Sequence, residues 1–470
     1  MAIKGVERKT VKVMTDSGKT LHLIAPGFFL NNDLHSVYQK TIPNIEFDDL
    51  FLWMCKKYYG DQKTIKKRLY EALATLSKRG LIEIDENEVD GYETHIKKEI
   101  DLKNKYDFFP ITQIDIVMTK ECNFSCKHCY LDFNEKSLNK IDTDKLLQKC
   151  EDFIQYGLQS VVITGGEPLL CDGLMEVILF LVNKNIRVTV LTNGYLIDEP
   201  FAESIMPYKH LITIQVSLDG SNSNSHDQQR NKIGAFDATI QGIRLLKKYG
   251  IYVVLSMVLS NLNISDIYDE SMFKLARELG VDMLGMNTSI IQYGNATKND
   301  FENISEEEII NVVNFVHNYE FDNSYPSISI SGPPSITKEI TLNNLDILRP
   351  RCRRGINSFA IRPDGQIVTC SDFAEIHYNE YDYGNILEMD FTDIIQRAKD
   401  AQESIMNRFM KLKGICSICT ALGNCGGACR ADAYAEYNDI LAPYPLCQRL
   451  FDKGVFPREM IDNTKVYTDI

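Results

Sequence analysis

The 470-residue sequence predicts an α/β protein built on a partial (β/α)6 barrel, with a smaller unit on each side of the barrel. Between residues 111 and 320, six strand-like stretches alternate with helix-like stretches, which is typical of a parallel sheet with outer helices. A strand pair and two helical patterns, at 47–58 and 62–79, precede this region, and a cysteine-rich segment follows it. The length of the chain also favours more than one domain.

The alternating region gives each predicted strand a predicted helix after it. Strands are predicted at 111–118, 160–163, 186–191, 211–217, 251–258 and 281–287, and helices at 144–156, 174–183, 198–206, 235–249, 267–279 and 306–316. Six βα units favour an open, TIM-like partial barrel over a closed eightfold barrel. Functional residues are expected at the carboxyl ends of the strands.

The composition indicates a cytoplasmic protein that binds neither a membrane nor nucleic acid. The formal net charge is −14, so nucleic-acid phosphates would be repelled at long range. No apolar stretch approaches the roughly 20 residues that a membrane span needs, and no secretory signal is visible. Thirteen cysteines are many for such a protein, and a disulfide framework would need an oxidising compartment. The spacing of the cysteines therefore carries the functional information.

Cys122, Cys126 and Cys129 form a C-x3-C-x2-C pattern directly after the first predicted barrel strand. Thiolates bind iron–sulfur clusters or zinc. Three cysteines in one short loop suit a 4Fe–4S cluster with one iron left open, whereas a structural zinc site usually takes four ligands. The alternative is a zinc knuckle with His128 as the fourth ligand.

The segment CNFSCKHCY, residues 122–130, resembles the signature of the radical S-adenosylmethionine (SAM) superfamily. Further motifs fall at successive strand ends: GGEP at 165–168, LTNG at 191–194, SLDG at 217–220 and HDxxR at 226–230. The resemblance implies that the three cysteines hold the catalytic cluster and that its open iron binds SAM. Reduction of SAM would yield a 5′-deoxyadenosyl radical, which takes a hydrogen atom from the substrate. The implied SAM-binding residues are Tyr130, Gly165, Gly166, Glu167, Thr192, Asn193, Ser217, Asp219 and Arg230.

Seven cysteines between residues 352 and 447 resemble the pattern of the SPASM extension, which carries two auxiliary 4Fe–4S clusters. The resemblance therefore implies three 4Fe–4S clusters in the chain. Carried over by position, the ligands of auxiliary cluster I are Cys352, Cys370 and Cys429, and those of auxiliary cluster II are Cys416, Cys419, Cys425 and Cys447. The alternative is a zinc ribbon made from the four cysteines between 416 and 429, which leaves the other three unexplained.

Residues 341–351 contain no cysteine, although some relatives supply a fourth ligand to auxiliary cluster I from this region. The resemblance to enzymes that form thioether bonds then implies an open iron in this cluster. A non-cysteine ligand or a distant cysteine is the alternative. Of the remaining cysteines, Cys55 and Cys150 are predicted core residues. Cys171 is predicted to be structural, with a role toward substrate or radical as the alternative.

Residues 1–85 resemble a winged helix, and in particular the recognition element of enzymes that modify ribosomally made peptides (RiPPs). The resemblance rests on strands at 9–14 and 19–25, the helix at 62–79 and a strand at 81–84. It implies that the leader of a precursor peptide adds a strand to the sheet. A basic helix face is expected to meet an acidic leader, with an ordinary solvated face as the alternative: Lys63, Lys66, Lys67 and Arg68.

Together these patterns predict a peptide maturase that forms a cysteine thioether cross-link and takes electrons from a one-electron reductant such as a flavodoxin or ferredoxin. Carbon–carbon cross-linking and sulfatase-maturase-like oxidation are the alternatives within enzymes, and a metal-stapled peptide-binding protein is the alternative outside them. Residues 290–350 are predicted to be irregular. The predicted domains are 1–85 (recognition element), 86–110 (linker), 111–320 (barrel), 321–350 (bridging region), 351–455 (small α+β SPASM domain) and 456–470 (tail).

Overall fold

The computed structural model describes most of the barrel and cysteine-rich regions and six short strands before them. The described residues are 111–131, 141–288, 291, 293–298, 304–319, 321, 324–337, 354–374, 381–408 and 411–470, with the strands β1 Ala2–Gly5, β2 Val11–Met14, β3 Thr20–Ala25, β4 Phe28–Leu30, β5 Asn44–Glu46 and β6 Ile82–Ile84.

The six N-terminal strands form two antiparallel sheets. β1 lies between β5 and β6 in one sheet, and β3 lies between β2 and β4 in the other. The predicted strand pair and the predicted strand at 81–84 are thereby confirmed. The predicted helix at 62–79, with Lys63, Lys66, Lys67 and Arg68, lies outside the described residues, as does Cys55.

A nine-stranded sheet forms the centre of the described structure. Seven parallel strands lie side by side in chain order: β7 Gln113–Val117, β8 Ser160–Thr164, β9 Arg187–Thr192, β10 Ile212–Ser217, β11 Tyr252–Val258, β12 Met283–Asn287 and β13 Ser327–Ile330. On the other side of β7, Ser358–Ile361 (β14) pairs in parallel, and Ile367–Val368 (β15) pairs with β14 in antiparallel fashion. The mixed α/β fold and the six predicted barrel strands are confirmed.

Helices return the chain between the parallel strands, as such a sheet requires. In the barrel region they are α1 Thr143–Gln155, α2 Leu174–Asn183, α3 Glu199–Ile205, α4 Ser223–Arg230, α5 Ala235–Lys248, α6 Ser265–Tyr268, α7 Ser271–Glu278, α8 Gly294–Lys298, α9 Glu306–Asn318 and α10 Pro334–Thr337. Several starts carry ordinary capping signals. The side chains of Asp142, Asp198 and Ser305 each accept a hydrogen bond from a backbone N–H of the first turn.

The predicted helix at 267–279 is in fact two helices, α6 and α7. Glu270 stands between them with a φ of 65°, a left-handed conformation that an α-helix cannot continue through. The prediction of an irregular segment at 290–350 is also wrong in part, because α8, β13 and α10 lie there. β13 has only four residues, so its sequence shows almost no periodicity, yet it pairs with β12 beyond the predicted barrel limit at 320.

The cysteine-rich region joins the barrel through β14 and through aromatic packing. Its helices are α11 Phe391–Arg408, α12 Ile415–Ile418, α13 Leu422–Cys425, α14 Arg430–Tyr437 and α15 Pro445–Asp452. The Phe153 ring of α1 packs edge-on against Phe359 of β14 and Phe391 of α11, with ring centroids 5.3 and 4.8 Å apart. Because Phe153 is fully buried, these contacts attach both C-terminal elements to the first barrel helix.

Among the described residues, no helix combines the length and the apolar character that crossing a membrane would take.

Replacing Phe153 with Ala should destabilise the protein by about 3–5 kcal/mol, because the change leaves a cavity where three aromatic rings meet. The measurement is the shift of the denaturant unfolding curve. Tyr252→Ala is the control, since its ring is 45% exposed on the first residue of β11 and its loss should cost less than about 1 kcal/mol. Equal effects of the two changes would contradict this account of the interface.

Candidate iron–sulfur centres

The first cysteine group lies on the loop that follows β7. Cys126 is buried, Cys122 and Cys129 are half-buried, and all three pack in one apolar cluster with Phe124. The loop turns tightly, because the Cys129 N–H donates to the Cys126 carbonyl at 3.3 Å and the Phe124 N–H donates to Cys122 Sγ at 3.4 Å. The structure therefore brings the three predicted cluster ligands together.

Burial strongly affects these thiols. It raises the pKa of Cys122 to about 11 and raises the pKa of Cys126 and Cys129 as well. Without a ligand, the thiols would stay protonated at neutral pH. Iron binds thiolates, so a bound cluster would supply the positive charge that this buried site requires.

The two glycines of the GGEP motif allow the loop after β8 to approach the segment that leads into the cysteine loop. The Gly166 N–H donates to the Thr119 carbonyl at 2.8 Å, and the Glu167 N–H donates to the Glu121 carbonyl at 2.9 Å. A Cβ on Gly166 would lie 2.2 Å from the Glu121 oxygen, and one on Gly165 would lie 2.5 Å from the Thr119 oxygen. Only glycine fits this close contact of backbones.

Glu167 ties neighbouring strand ends together. Its carboxylate is fully buried, and Oε1 accepts hydrogen bonds from Thr192 Oγ1 at 2.8 Å and from the Leu169 N–H at 3.1 Å. Oε2 accepts from the Asn193 N–H at 2.8 Å, and Asn193 Nδ2 in turn donates to Asn123 Oδ1 in the cysteine loop at 2.7 Å. Burial raises the pKa of Glu167. Three predicted SAM-binding residues, Glu167, Thr192 and Asn193, thus form one connected network.

Asp219 and Arg230 connect a further strand end to Cys126. Asp219 is fully buried; its Oδ1 accepts from the Val258 N–H at 2.8 Å, and its Oδ2 lies 2.7 Å from Arg230 Nε. Arg230 Nη1 lies 3.7 Å from Cys126 Sγ. Burial alone would raise the pKa of Asp219, but the nearby Arg230 charge brings it below its ordinary value. Burial lowers the pKa of His128 to about 4, so this imidazole is neutral beside Asp219 at pH 7.

The remaining predicted SAM-binding residues, Tyr130 and Ser217, are half-buried at the end of the cysteine loop and at the end of β10. The structure thus places every predicted SAM-binding residue at or near the carboxyl ends of β7, β8, β9 and β10 or, for Arg230, at the end of α4. Their role toward SAM stays a prediction.

Helix α8 holds the cysteine loop from a segment that was predicted to be irregular. The Ala296 N–H donates to the Cys129 carbonyl at 2.8 Å, and Asn295 Nδ2 donates to the Cys126 carbonyl at 2.6 Å. Gly294 has a φ of 58°, and a Cβ there would lie 2.2 Å from the Tyr130 carbonyl oxygen. The sequence offers only a Gly-Asn pair at this point, which is a turn signal and says nothing about a distant partner.

The four thiols predicted for auxiliary cluster II line one pocket. They are Cys416, Cys419, Cys425 and Cys447. The other lining residues are mostly apolar, and burial raises the pKa of Cys419 to about 12. Cys447 takes part and Cys429 is not among the lining residues, so the geometry favours the predicted set over the zinc ribbon. The Oγ of Ser335, in α10, lies 3.2 Å from Cys447 Sγ.

Two of the three cysteines predicted for auxiliary cluster I are described, and they lie in one apolar cluster. Cys370 is buried there with Phe373, and Cys429 packs against them. Cys352 lies outside the described residues. Cys150 is fully buried in α1, as predicted. Cys171 is half-buried against the main core, and its structural role stays a prediction.

A buried carboxylate in β7, which no sequence motif marks, contacts two residues that stand next to predicted ligands of auxiliary cluster I. Asp115 is 1% exposed, and its Oδ2 contacts Arg354 Nη1 and accepts from Ser371 Oγ at 3.2 Å. Arg354 stands two residues after Cys352, and Ser371 follows Cys370 directly. Asp115 therefore positions both cysteine-bearing segments against the first barrel strand.

The eleven described cysteines form no disulfide with one another. Within the described ranges, no three His, Cys, Asp or Glu side chains gather closely enough to hold a single metal ion. A 4Fe–4S cluster makes a different demand, because each cysteine binds a different iron and the thiols stand around the cluster.

Comparison with known proteins gives matches in two parts of the chain. Residues 116–272 match the radical SAM superfamily, and residues 352–421 match SPASM, an iron–sulfur cluster-binding domain. An AdoMet-dependent heme synthase of Nitratidesulfovibrio vulgaris is 26% identical over 343 residues, which cover 70% of this chain and 90% of that relative. The antilisterial bacteriocin subtilosin biosynthesis protein AlbA of Bacillus subtilis is 32% identical over 170 residues, 36% of this chain and 38% of AlbA.

Among solved structures, SuiB of Streptococcus suis bound to its precursor peptide SuiA is similar, with a TM-score of 0.61 and 17% identity. The similarity covers 95% of this chain and 100% of the SuiB chain.

Replacing Gly166 with Ala should force the GGEP loop away from Thr119–Glu121 and displace the cysteine loop. The reconstituted variant should lose about four irons per chain, one 4Fe–4S cluster. Iron assay and the cluster absorbance measure the loss. Gly285→Ala is the control, since Gly285 lies in the barrel strand β12 and a Cβ there would meet only ordinary contacts at 3.6 and 3.7 Å. Full iron content in the Gly166 variant would contradict the proposed close contact.

Proposed function

We propose that this chain, a radical SAM enzyme with the partial-barrel fold of that superfamily and a SPASM domain at its C-terminus, modifies a ribosomally made precursor peptide. The supporting observation is the extent of its likeness to SuiB, whose solved complex contains a precursor peptide. That likeness covers 95% of the chain, whereas the match to the heme synthase covers 70%. A peptide-binding role for residues 1–85 would account for the difference.

Three 4Fe–4S clusters and SAM are the proposed cofactors, and the residues present fit them. The buried thiols of Cys122, Cys126 and Cys129 need a positive partner, and an apolar pocket lined by four thiols stands in the C-terminal region. When bound at the first site, cluster and SAM would supply a 5′-deoxyadenosyl radical that takes a hydrogen atom from the peptide.

The barrel residues would orient SAM and exclude water around it. Tyr130, Gly165, Gly166 and Ser217 would face SAM from the strand ends. Glu167 and Asp219 already accept hydrogen bonds from the protein, so their main contribution would be to fix Asn193 and Arg230 in place. Thr192 belongs to the same network through its bond to Glu167.

The proposed modification is a thioether link from a cysteine of the peptide. Cys352, Cys370 and Cys429 are three ligands where a 4Fe–4S cluster takes four, so one iron would stay open to bind the peptide thiolate. Bond formation between that sulfur and the carbon radical releases one electron, which the auxiliary cluster would accept. Cys416, Cys419, Cys425 and Cys447 would hold the second auxiliary cluster, and a flavodoxin or ferredoxin is the proposed electron donor.

Residues 1–85 are proposed to bind the leader of the precursor. The two antiparallel sheets in this region end in outer strands, and an extended peptide can add to such an edge. Lys63, Lys66, Lys67 and Arg68 are the proposed partners of acidic leader residues. Attraction between exposed groups of opposite charge weakens with salt, so the affinity for the leader should fall as ionic strength rises.

The match to heme synthases favours a second candidate, an activity on a tetrapyrrole. This match covers 90% of the heme synthase, whereas the match to AlbA covers 38% of AlbA. Carbon–carbon cross-linking of a peptide is a third outcome that the same radical would permit.

Anaerobic incubation of the reduced enzyme with SAM and a cysteine-containing precursor should give 5′-deoxyadenosine and a product lighter by two hydrogens per link. Mass spectrometry with fragmentation would locate the link. Blocking the peptide thiols by alkylation should abolish it; an unchanged link would instead indicate a carbon–carbon bond. Turnover of a tetrapyrrole with no change in the peptide would favour the second candidate.

The variant with Cys122, Cys126 and Cys129 all replaced by Ala should no longer cleave SAM and should still bind the leader. The reason is that the three thiols and the N-terminal sheets belong to different parts of the chain. Leader binding is measured by fluorescence anisotropy and iron by colorimetric assay, where the wild type should hold about twelve irons and the variant about eight. Stoichiometric zinc in the wild type would overturn the cluster assignment.

A further inference from the structure

Arg430 is a buried guanidinium at the start of α14, directly after Cys429. The residue is 4% exposed. Its Nη1 donates to the Ala442 carbonyl at 2.5 Å and to the Ile440 carbonyl at 3.3 Å, and its Nη2 donates to the Gly427 carbonyl. Its Nε is buried and has no hydrogen-bond partner among the described residues. The Nε–H is therefore left without a partner in the described part of the chain.

This guanidinium forms no ion pair with a carboxylate in the described part of the chain, unlike Arg230, which pairs with Asp219. An isolated buried charge is costly, and arginine cannot escape the cost by losing its proton. The acidic groups with the largest effect on its charge are three thiols, Cys416, Cys429 and Cys425. The nearby charge of Arg408 adds to the cost. A 4Fe–4S cluster held by thiolates is negatively charged, so clusters at these sites would offset part of the buried positive charge.

The three thiols belong to both predicted auxiliary sets. Cys416 and Cys425 line the pocket of set II, whereas Cys429 lies with Cys370 in set I. Gly427, with a φ of 80°, leaves room for the guanidinium between the sets, since a Cβ there would lie 3.1 Å from Arg430 Cζ. Gly427 itself lines the pocket of set II.

We propose that Arg430 is a counter-charge shared by both auxiliary clusters and that it raises the reduction potential of each. The inference rests on the clusters of the proposed function. Reduction adds one negative charge to a cluster, and a buried positive charge nearby stabilises the reduced form. A buried N–H donor to a cluster sulfur acts in the same direction. Arg430 would thus bring both auxiliary sites into a range where they accept an electron.

The competing role is purely structural, since the three carbonyl contacts also close the loop between Gly427 and Ala442. Arg430→Lys and Arg430→Gln separate the two roles. Both variants lose the forked contact to the carbonyls, but only Lys keeps the charge. A structural role predicts that the two variants behave alike, and a counter-charge predicts that they differ.

The experiment is a redox titration followed by electron paramagnetic resonance, with Cys122, Cys126 and Cys129 replaced by Ala so that only auxiliary clusters contribute. Arg430→Gln should shift both midpoint potentials to more negative values, and Arg430→Lys should shift them less. Ser335→Ala is the control for a one-cluster effect. Its Oγ contacts only Cys447 of set II, so it should lower the potential of cluster II and leave cluster I unchanged.

The outcomes separate this inference from the proposed function. If the Ala-substituted parent protein shows no auxiliary cluster signals, the proposed cofactors themselves are wrong. If the signals are present but Arg430→Gln moves neither potential, or moves only one, the shared counter-charge is overturned. Equal loss of both clusters in the Lys and Gln variants would overturn it as well, in favour of the structural role.

Discussion

The buried carboxylate of Asp115 is the contact that joins the first cysteine group to the segments expected to hold auxiliary cluster I. It lies in the middle of β7, the strand that leads directly into the loop of Cys122. A charge at 1% exposure must be paired, and its partners are Arg354 and Ser371, which stand next to the cysteine-bearing ends of the C-terminal region. One strand therefore fixes the first cysteine group through its backbone and the auxiliary region through a side chain.

The loop after β8 places a second constraint on the cysteine loop, through direct contact between backbones. Gly165 and Gly166 let two chain segments approach until their amides and carbonyls bond directly. The Glu167 carboxylate then accepts a hydrogen bond from the Asn193 N–H, and the Asn193 side chain donates one to Asn123 in the cysteine loop. The ends of β7, β8 and β9 are thus connected by hydrogen bonds that depend on one another, so a displacement at one of them is expected to move the thiols.

The sequence predicted whatever depends on local pattern. The alternation of strand-like and helix-like stretches located the six barrel strands and most of the helices between them. The resemblance to the SPASM pattern implied a set of four thiols, and these four line one pocket in the structure. Contacts between distant segments left no such pattern. Asn295 reaches Cys126 across 169 positions and Arg354 reaches Asp115 across 239, and neither residue stands in a motif of its own.

Arg230 and Arg430 both lie near thiols, but their charges are expected to affect the clusters differently. Arg230 lies beside Cys126, but the Asp219 carboxylate 2.7 Å away offsets most of its charge, so its effect on the first cluster would be mainly directional. Arg430 bonds to backbone carbonyls and forms no ion pair with a carboxylate in the described part of the chain, so more of its charge would act on the auxiliary clusters. A cluster that donates an electron at low potential is favoured by surroundings without net positive charge. A cluster that accepts an electron is favoured by a positive charge nearby. The distribution of carboxylates around the two guanidinium groups therefore matches the direction of electron flow that thioether formation requires.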